Sequence, residues 1–285
     1  MKFGLALSGG ATRGAAHIGA MKALAEAGLH PSWISGTSAG SMVAALYACG
    51  YSAGDMEKIA LSLDRKIYDT DYLGIAGGVL QWIFTGDTKW DGLIKGRKLE
   101  MLMKKLTKGK LMTQSRMPLA ITSVDINSGK TVMFVSSKRK LRDGKDTIYL
   151  DDVPIYRAVR ASIAIPVVFR PIILNGMRLV DGGVTESVPI NVLKKMGAEQ
   201  VVGIDLGYSG QRRSEVDNIL EIGSQSIDIM SYRMMKYRTT KADIIINPHI
   251  YDVGMLEVNR IPELIERGCQ AVRNNLDMIK KAINI

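Results

Sequence analysis

Gly36-Thr37-Ser38-Ala39-Gly40 is the stretch of this chain best suited to covalent chemistry. A short apolar run, Trp33 and Ile34, leads into it, and an Ala-rich run, Met42 to Ala48, follows. A strand must therefore stop, turn sharply and resume as a helix, the arrangement of a nucleophile elbow. Gly36 and Gly40 carry no Cβ, so strand and helix can approach closely. Ser38 would stand at the tip with the helix N-terminus behind it. That end carries about half a positive charge and unpaired N–H groups, which favour a developing oxyanion. The chemistry implied is attack of a serine hydroxyl on an acyl carbonyl. The plainer alternative is a Ser/Gly loop before a buried helix.

A serine nucleophile needs a base. The chain has 3 histidines, His17, His30 and His249. His17 falls inside the first helical pattern and His30 at its exit. Only His249, in Asn247-Pro248-His249, comes late enough for the chain order of an α/β-hydrolase triad. Carboxylates are the other option. Asp125, Asp181 and Asp205 each stand where an apolar strand pattern ends, and in an open parallel sheet functional groups gather at that edge. Asp181 is followed by Gly182 and Gly183, which allow close approach to its carboxylate, although Asp-Gly-Gly is also an ordinary turn. Spacing alone leaves all three open.

Ser8-Gly9-Gly10-Ala11-Thr12-Arg13-Gly14 lies between the first strand pattern and the first helix pattern. Its N–H groups can point inward at a helix N-terminus and receive an oxyanion or a phosphate. A nucleotide reading fails on detail. The loop has no Gly-Lys-Ser/Thr ending, Ala11 stands where a dinucleotide fingerprint has its second glycine, and the second strand carries no acidic residue at its end.

The elements that must hold these residues are those of an α/β fold. The 285 residues are 46% hydrophobic, enough for a substantial core. Lys2 to Leu7, Trp33 to the elbow, Leu119 to Asp125 and Gln200 to Leu206 read as strands. Helix patterns run over 15–27, from the elbow onward through Ala48, and over 52–63, 97–106, 153–160, 189–196 and 216–237. Two hairpins are expected, one turning at Asn127-Ser128-Gly129 and one at Asn175-Gly176, joining Val167–Leu174 to Met177–Val180. Residues 139–145 read as a charged loop, 242–246 as a further strand and 261–283 as one closing helix. The expectation is a single domain over 1–285, with a central, mostly parallel sheet flanked by helices. Residues 67–94 hold Tyr68, Tyr72, Trp82, Phe84 and Trp90 with no clean period. They suit either a lid or acyl-pocket segment, or an ordinary helical cap.

Lys and Arg outnumber Asp and Glu by 38 to 28, a net +10. This favours an anionic partner such as a membrane surface, but the basic residues are dispersed, and nucleic-acid binding is not expected. Cys49 and Cys269 fall in apolar patterns and read as buried free thiols in a reducing compartment. The run Phe3 to Leu7 is too short for a secretory signal, and the uncharged window 31–54 is broken by the elbow rather than shaped like a membrane span. A cytoplasmic protein, with peripheral membrane contact, is expected.

Four blocks occur in order: Ser8-Gly9-Gly10-Ala11-Thr12-Arg13-Gly14, Gly36-Thr37-Ser38-Ala39-Gly40, Ala161-Ser162-Ile163-Ala164-Ile165-Pro166 and Asp181-Gly182-Gly183. Together they resemble the patatin-like phospholipases, bacterial type, from residue 3 to about 193. Asp125-Ile126-Asn127-Ser128-Gly129 looks like a further segment of that family. The resemblance implies hydrolysis of acyl esters by a Ser-Asp dyad, without histidine, metal or cofactor. It implies Ser38 as nucleophile, Asp181 as base, and an oxyanion hole from Gly9, Gly10, Ala11 and Arg13. The implied substrate is a lipid acyl ester, in phospholipase A or lysophospholipase fashion. Ala11 departs from the family, which usually has a third glycine there. The rival expectations are a non-catalytic lipid- or membrane-binding protein on the same fold, and an acyltransferase or thioesterase. Beyond about residue 200 no motif transfers.

Overall fold

Strand β1 (Phe3–Leu7) is buried at every position, and its two faces meet different neighbours. Phe3, Leu5 and Leu7 enter the main core, while Ala6 packs with Val188, Ile190, Leu193 and Val201 on the other side. This is the pattern of a strand covered on both faces, the reason a parallel sheet reads as an unbroken apolar run. The computed structural model describes residues 2–64, 67–69, 92–207, 219–237, 242–254 and 257–285.

The sheet is built on β1, β2 (Trp33–Thr37), β3 (Leu119–Asp125), β4 (Thr131–Val135), β5 (Thr147–Leu150), β6 (Ile172–Leu174), β7 (Met177–Asp181), β8 (Gln200–Ile204) and β9 (Ile244–Ile246). Its order is β5-β4-β3-β2-β1-β8-β9. The run β3-β2-β1-β8-β9 is parallel throughout. Helices α1 (Ala15–Glu26), α2 (Ala39–Cys49), α3 (Ala53–Leu61), α4 (Arg97–Thr107) and α5 (Ile155–Ser162) follow in chain order, then α6 (Ile190–Met196), α7 (Ile219–Lys236), α8 (Ile261–Asn274) and α9 (Leu276–Ala282). The expected single α/β domain with a mostly parallel sheet between helices is the fold observed.

One pairing departs from a simple parallel sheet and positions the site. β3 is longer than β2. Its first half pairs with β2 as far as Thr37 opposite Thr122. Its second half pairs antiparallel with β7, Asp181 standing opposite Ser123. Since β4 occupies the other edge of β3 over Ala120–Val124, β7 runs into the place that β2 vacates. The C-terminal ends of β2 and β7 therefore meet head-on along one edge of β3.

Several boundaries differ from the sequence expectation. β8 stops at Ile204, because the N–H of Leu206 leaves the ladder to bond Ser8 Oγ at 2.8 Å. β6 starts at Ile172 rather than Val167. Val167 has φ 70° and belongs to a tight turn in which the N–H groups of Val168 and Phe169 both reach Ile165 O. The closing helix is two helices, because Asn275 turns its Nδ2 back to Ala271 O at 2.8 Å and leaves the helical backbone conformation. β5, parallel to β4, had no counterpart in the expectation. Most of 67–94 lies outside the described residues, with it Trp82 and Trp90.

Candidate active site

The elbow is as compact as its glycines demand. A Cβ on Gly36 would lie 2.3 Å from Gly40 O, and one on Gly40 would lie 2.5 Å from Leu7 O and Ser8 O. Neither distance is tolerable. β2 and α2 thus cross at backbone contact, and Ser38 between them takes φ 53°, ψ −125°. A non-glycine residue there stores on the order of 1–3 kcal/mol of strain, a signature of functional positions. Ser38 is held by its neighbours: Ser41 Oγ donates to Ser38 O at 2.6 Å, and the N–H of Ser38 donates to Ser162 Oγ at 2.8 Å.

Ser162 has no chemical signature in the sequence, yet its segment links the two residues of greatest interest. At the end of α5 it receives Ser38. Two residues on, Ala164 O accepts the N–H of Asp181 at 2.9 Å. Ser162 is wholly buried. Ser162→Ala would leave the elbow amide without an acceptor, at a cost of about 1–3 kcal/mol. We expect a lower melting temperature together with a lower kcat. Unchanged values in both would remove Ser162 from the site.

Ser38 and Asp181 line the same chamber, with Gly9, Gly10, Ala11, Arg13, Gly183, Asp228 and Ser231. Asp181 Oδ1 accepts the N–H of Gly183 at 2.8 Å. Oδ2 is buried without a hydrogen-bond partner among the described residues. Burial pushes the Asp181 carboxyl up to about 7, against the pull of the Ser38 hydroxyl and the Gly183 N–H; the nearby charge of Asp228 adds to the rise. The Ser38 hydroxyl therefore senses the carboxylate without forming a hydrogen bond of standard geometry. Such looseness is common in unliganded sites.

The other carboxylates lie elsewhere. Asp125 is tied up in its own turn. Burial would raise it, but Ser128 Oγ at 2.6 Å and the N–H of Arg178 at 3.0 Å hold it below the usual range. Asp205 is pushed by burial to about 6, and its Oδ1 accepts the N–H of Gly207 at 3.0 Å. Neither lines the chamber. No histidine lines it either. His17 is buried in α1 with Nε2 2.9 Å from Ser8 O, and burial lowers it to about 4. His30 and His249 are exposed.

The glycine loop faces Ser38 directly. A Cβ on Gly9 would come within 3.2 Å of Ser38 Cβ. Among the described residues the N–H groups of Gly9, Gly10 and Ala11 have no hydrogen-bond partner. Arg13 lines the chamber, with its guanidinium turned to Asp228 and to the Gly10 carbonyl. Ala11 has φ 50°, a left-handed conformation that favours glycine. An L-residue in that region costs about 1–2 kcal/mol. Ala11→Gly should therefore raise the melting temperature by about 2–4 °C. A fall on thermal denaturation would mean that the Ala11 methyl packs for more than the strain it causes.

Ser38 also lines a second, apolar cavity. Ala39, Met42, Val43 and Leu46 on one face of α2 line it, with Met56, Met103, Ile163 and Phe169 around them. Those α2 positions span about 10 Å of helix. Among the described residues no helix is long and apolar enough to cross a membrane.

The family model described as patatin-like phospholipase matches residues 5–194, a span that holds the glycine loop, the elbow, Ser162 and Asp181. The chain belongs to this family. Membership places it among lipid ester hydrolases. It is 32% identical over 216 residues to YqhO, an uncharacterised protein of Bacillus subtilis, covering 72% of each chain. It is 28% identical over 205 residues to the human patatin-like phospholipase domain-containing protein 6, matching 71% of this chain and only 13% of that protein. In structure it resembles VipD from Legionella pneumophila at a TM-score of 0.56 and 16% identity, over 97% of this chain and 67% of VipD, a likeness of fold. α7, which carries Asp228 and Ser231, lies outside the matched span.

Proposed function

We propose that this chain is a lipid acyl hydrolase of the phospholipase A or lysophospholipase type, working through Ser38 and Asp181. The observation that carries this reading is the placement of Ser38 at the junction of two spaces. On one side lie the only carboxylate of the three candidates that shares its chamber and a row of unpaired N–H groups. On the other lies an apolar cavity suited to an acyl chain.

Asp181 takes the hydroxyl proton as Ser38 Oγ bonds to the ester carbonyl carbon. The carbonyl oxygen becomes an oxyanion facing the N–H groups of Gly9, Gly10 and Ala11, where one well-placed donor supplies about 3 kcal/mol. The bond to the leaving alcohol breaks as Asp181 returns the proton to it. Water then attacks the acyl-enzyme, its proton passing to Asp181 and on to Ser38 Oγ as the fatty acid leaves. Lipid is the substrate class, and contact with a lipid surface is supported by α7. Its inner face supplies Ile227, Asp228 and Ser231 to the chamber. Ile229 and Met230 next to them are 39% and 56% exposed, and Val167, beside the chamber's Pro166, is 59% exposed. These are the apolar residues an interfacial enzyme would press into a bilayer.

Incubation with a fluorophosphonate, followed by peptide mapping, should place the label on Ser38. Monoacyl and diacyl phospholipids should release free fatty acid. A protein that binds lipid but takes no label would be a binding module. Transfer of the acyl group to an added alcohol or thiol in preference to water would make it an acyltransferase.

A further inference from the structure

Arg13 and Asp228 form an ion pair inside the chamber. Arg13 Nη2 donates to Asp228 Oδ2 at 2.8 Å, with the arginine side chain 3% exposed and the aspartate 21%. The two are 215 positions apart. A pair so far from water persists only if its charges have work to do or good partners, since desolvation opposes it. The arginine has a second contact. Its Nε points to Gly10 O at 3.4 Å, and its own backbone N–H donates to the same oxygen at 3.0 Å.

The Gly10 carbonyl is thus held from two directions. A trans peptide sets its C=O and N–H on opposite sides of one plane. Turning Gly10 O toward Arg13 turns the N–H of Ala11 away from it. Ala11 and Ser38 line the same chamber, and that N–H has no other partner among the described residues.

We propose that Asp228 is a positioning residue for the reaction: it fixes the Arg13 guanidinium against the Gly10 carbonyl and so aims the Ala11 N–H at the oxyanion. The inference rests on the reading of Ser38 as nucleophile. It brings into the site a helix that the family motifs do not reach. α7 is itself pinned over the chamber, Ser231 Oγ donating to Gly183 O at 2.8 Å, so Asp228 is presented by an anchored element. The charged groups that face Asp228 are Arg13 from the glycine loop, Asp181 from the end of β7 and Asp205 from the end of β8. Its negative charge disfavours ionisation of both aspartates.

Asp228→Asn should lower kcat by up to about 100-fold with little change in KM, since a misaimed donor can weaken the transition state by that much. The rate of fluorophosphonate inactivation should fall in parallel, because the phosphonyl oxygen occupies the same position as the oxyanion. The inflection of kcat/KM against pH should move to lower pH, as a charge next to Asp181 is gone, so the loss of kcat is read on the plateau above that inflection, where the aim of the Ala11 N–H alone is tested. Asp228→Glu should recover part of the rate. Arg13→Gln combined with Asp228→Asn should cost little more than Arg13→Gln alone, the mark of residues acting as a unit. Full kcat and an unchanged rate of inactivation in a folded Asp228→Asn protein overturn the inference. A wild-type protein that neither hydrolyses esters nor takes the label overturns instead the reading on which it rests.

Discussion

Asp181→Asn is expected to lower kcat by about 10²–10⁴-fold, the range that a positioned general base supplies, and to make the protein more stable at pH 8. Both effects follow from one geometry. The Asn oxygen can keep the Gly183 N–H that Oδ1 accepts. The amide nitrogen then stands in place of Oδ2, which has no partner among the described residues, as a donor that cannot take a proton. A group that should take the serine proton has become one that gives a hydrogen bond. The stability change has a definite sign. The folded carboxyl sits at about 7 against an ordinary 3.8, so the folded state binds the proton more tightly than the unfolded chain does. Stability from this group is complete below about pH 4 and is lost as the pH rises through 7. The loss approaches about 4 kcal/mol as an upper bound. Asparagine carries no charge and avoids it. Melting curves of wild type and variant should therefore coincide near pH 4, draw apart as the pH rises from 4 to 7 and stay apart above it, the variant melting later. The wild-type rate should fall below about pH 7 as Asp181 takes up a proton. A flat rate between pH 5 and 8, or a variant with full turnover, would sink the assignment of the base. Should Asp205→Asn be the inactive one instead, the base is Asp205.

Ser38→Ala is expected to abolish both ester hydrolysis and fluorophosphonate labelling while the fold persists. Alanine at this position keeps the φ of 53° and its strain, so its melting temperature should stay near that of the wild type. Ser38→Gly relieves the strain and should melt higher by on the order of 1 kcal/mol, again without activity. The pair of variants separates loss of the nucleophile from loss of the elbow. Activity retained in Ser38→Ala would mean that another group attacks.

Much of this site was legible before any coordinates. Gly-x-Ser-x-Gly names its own geometry, because only glycine fits where Gly36 and Gly40 touch backbone. The glycine loop before α1 was readable as well, from its glycines between a strand pattern and a helix pattern. Among Asp125, Asp181 and Asp205 spacing alone left the choice open, since each ends a strand pattern, and only the family resemblance pointed to Asp181. What separates them is non-local: β7 enters antiparallel beside the second half of β3, and no spacing along the chain reports that. Ser162 stood in one of the four blocks, but its task was hidden because nothing along the chain reports that it accepts the N–H of Ser38. Asp228 was hidden because its partner lies at the opposite end of the chain. The single closing helix was misread because Asn275 breaks it with a side-chain bond that periodicity does not register.

The head-on meeting of β2 and β7 makes the Ser38–Asp181 pair a matter of chain length more than of side-chain identity. β3 acts as a ruler: Thr122 marks where one strand ends and Ser123 where the other does. One residue inserted into β3 or β7 would displace Asp181 by about 3.3 Å and turn its carboxylate to the opposite face of the sheet. The same residue added at Asn175-Gly176, an exposed turn where both residues have positive φ, would fall outside the β3–β7 ladder, which begins at Leu179. The site should thus tolerate wide drift in its coverings and almost none in the count of residues between the turn and the aspartate.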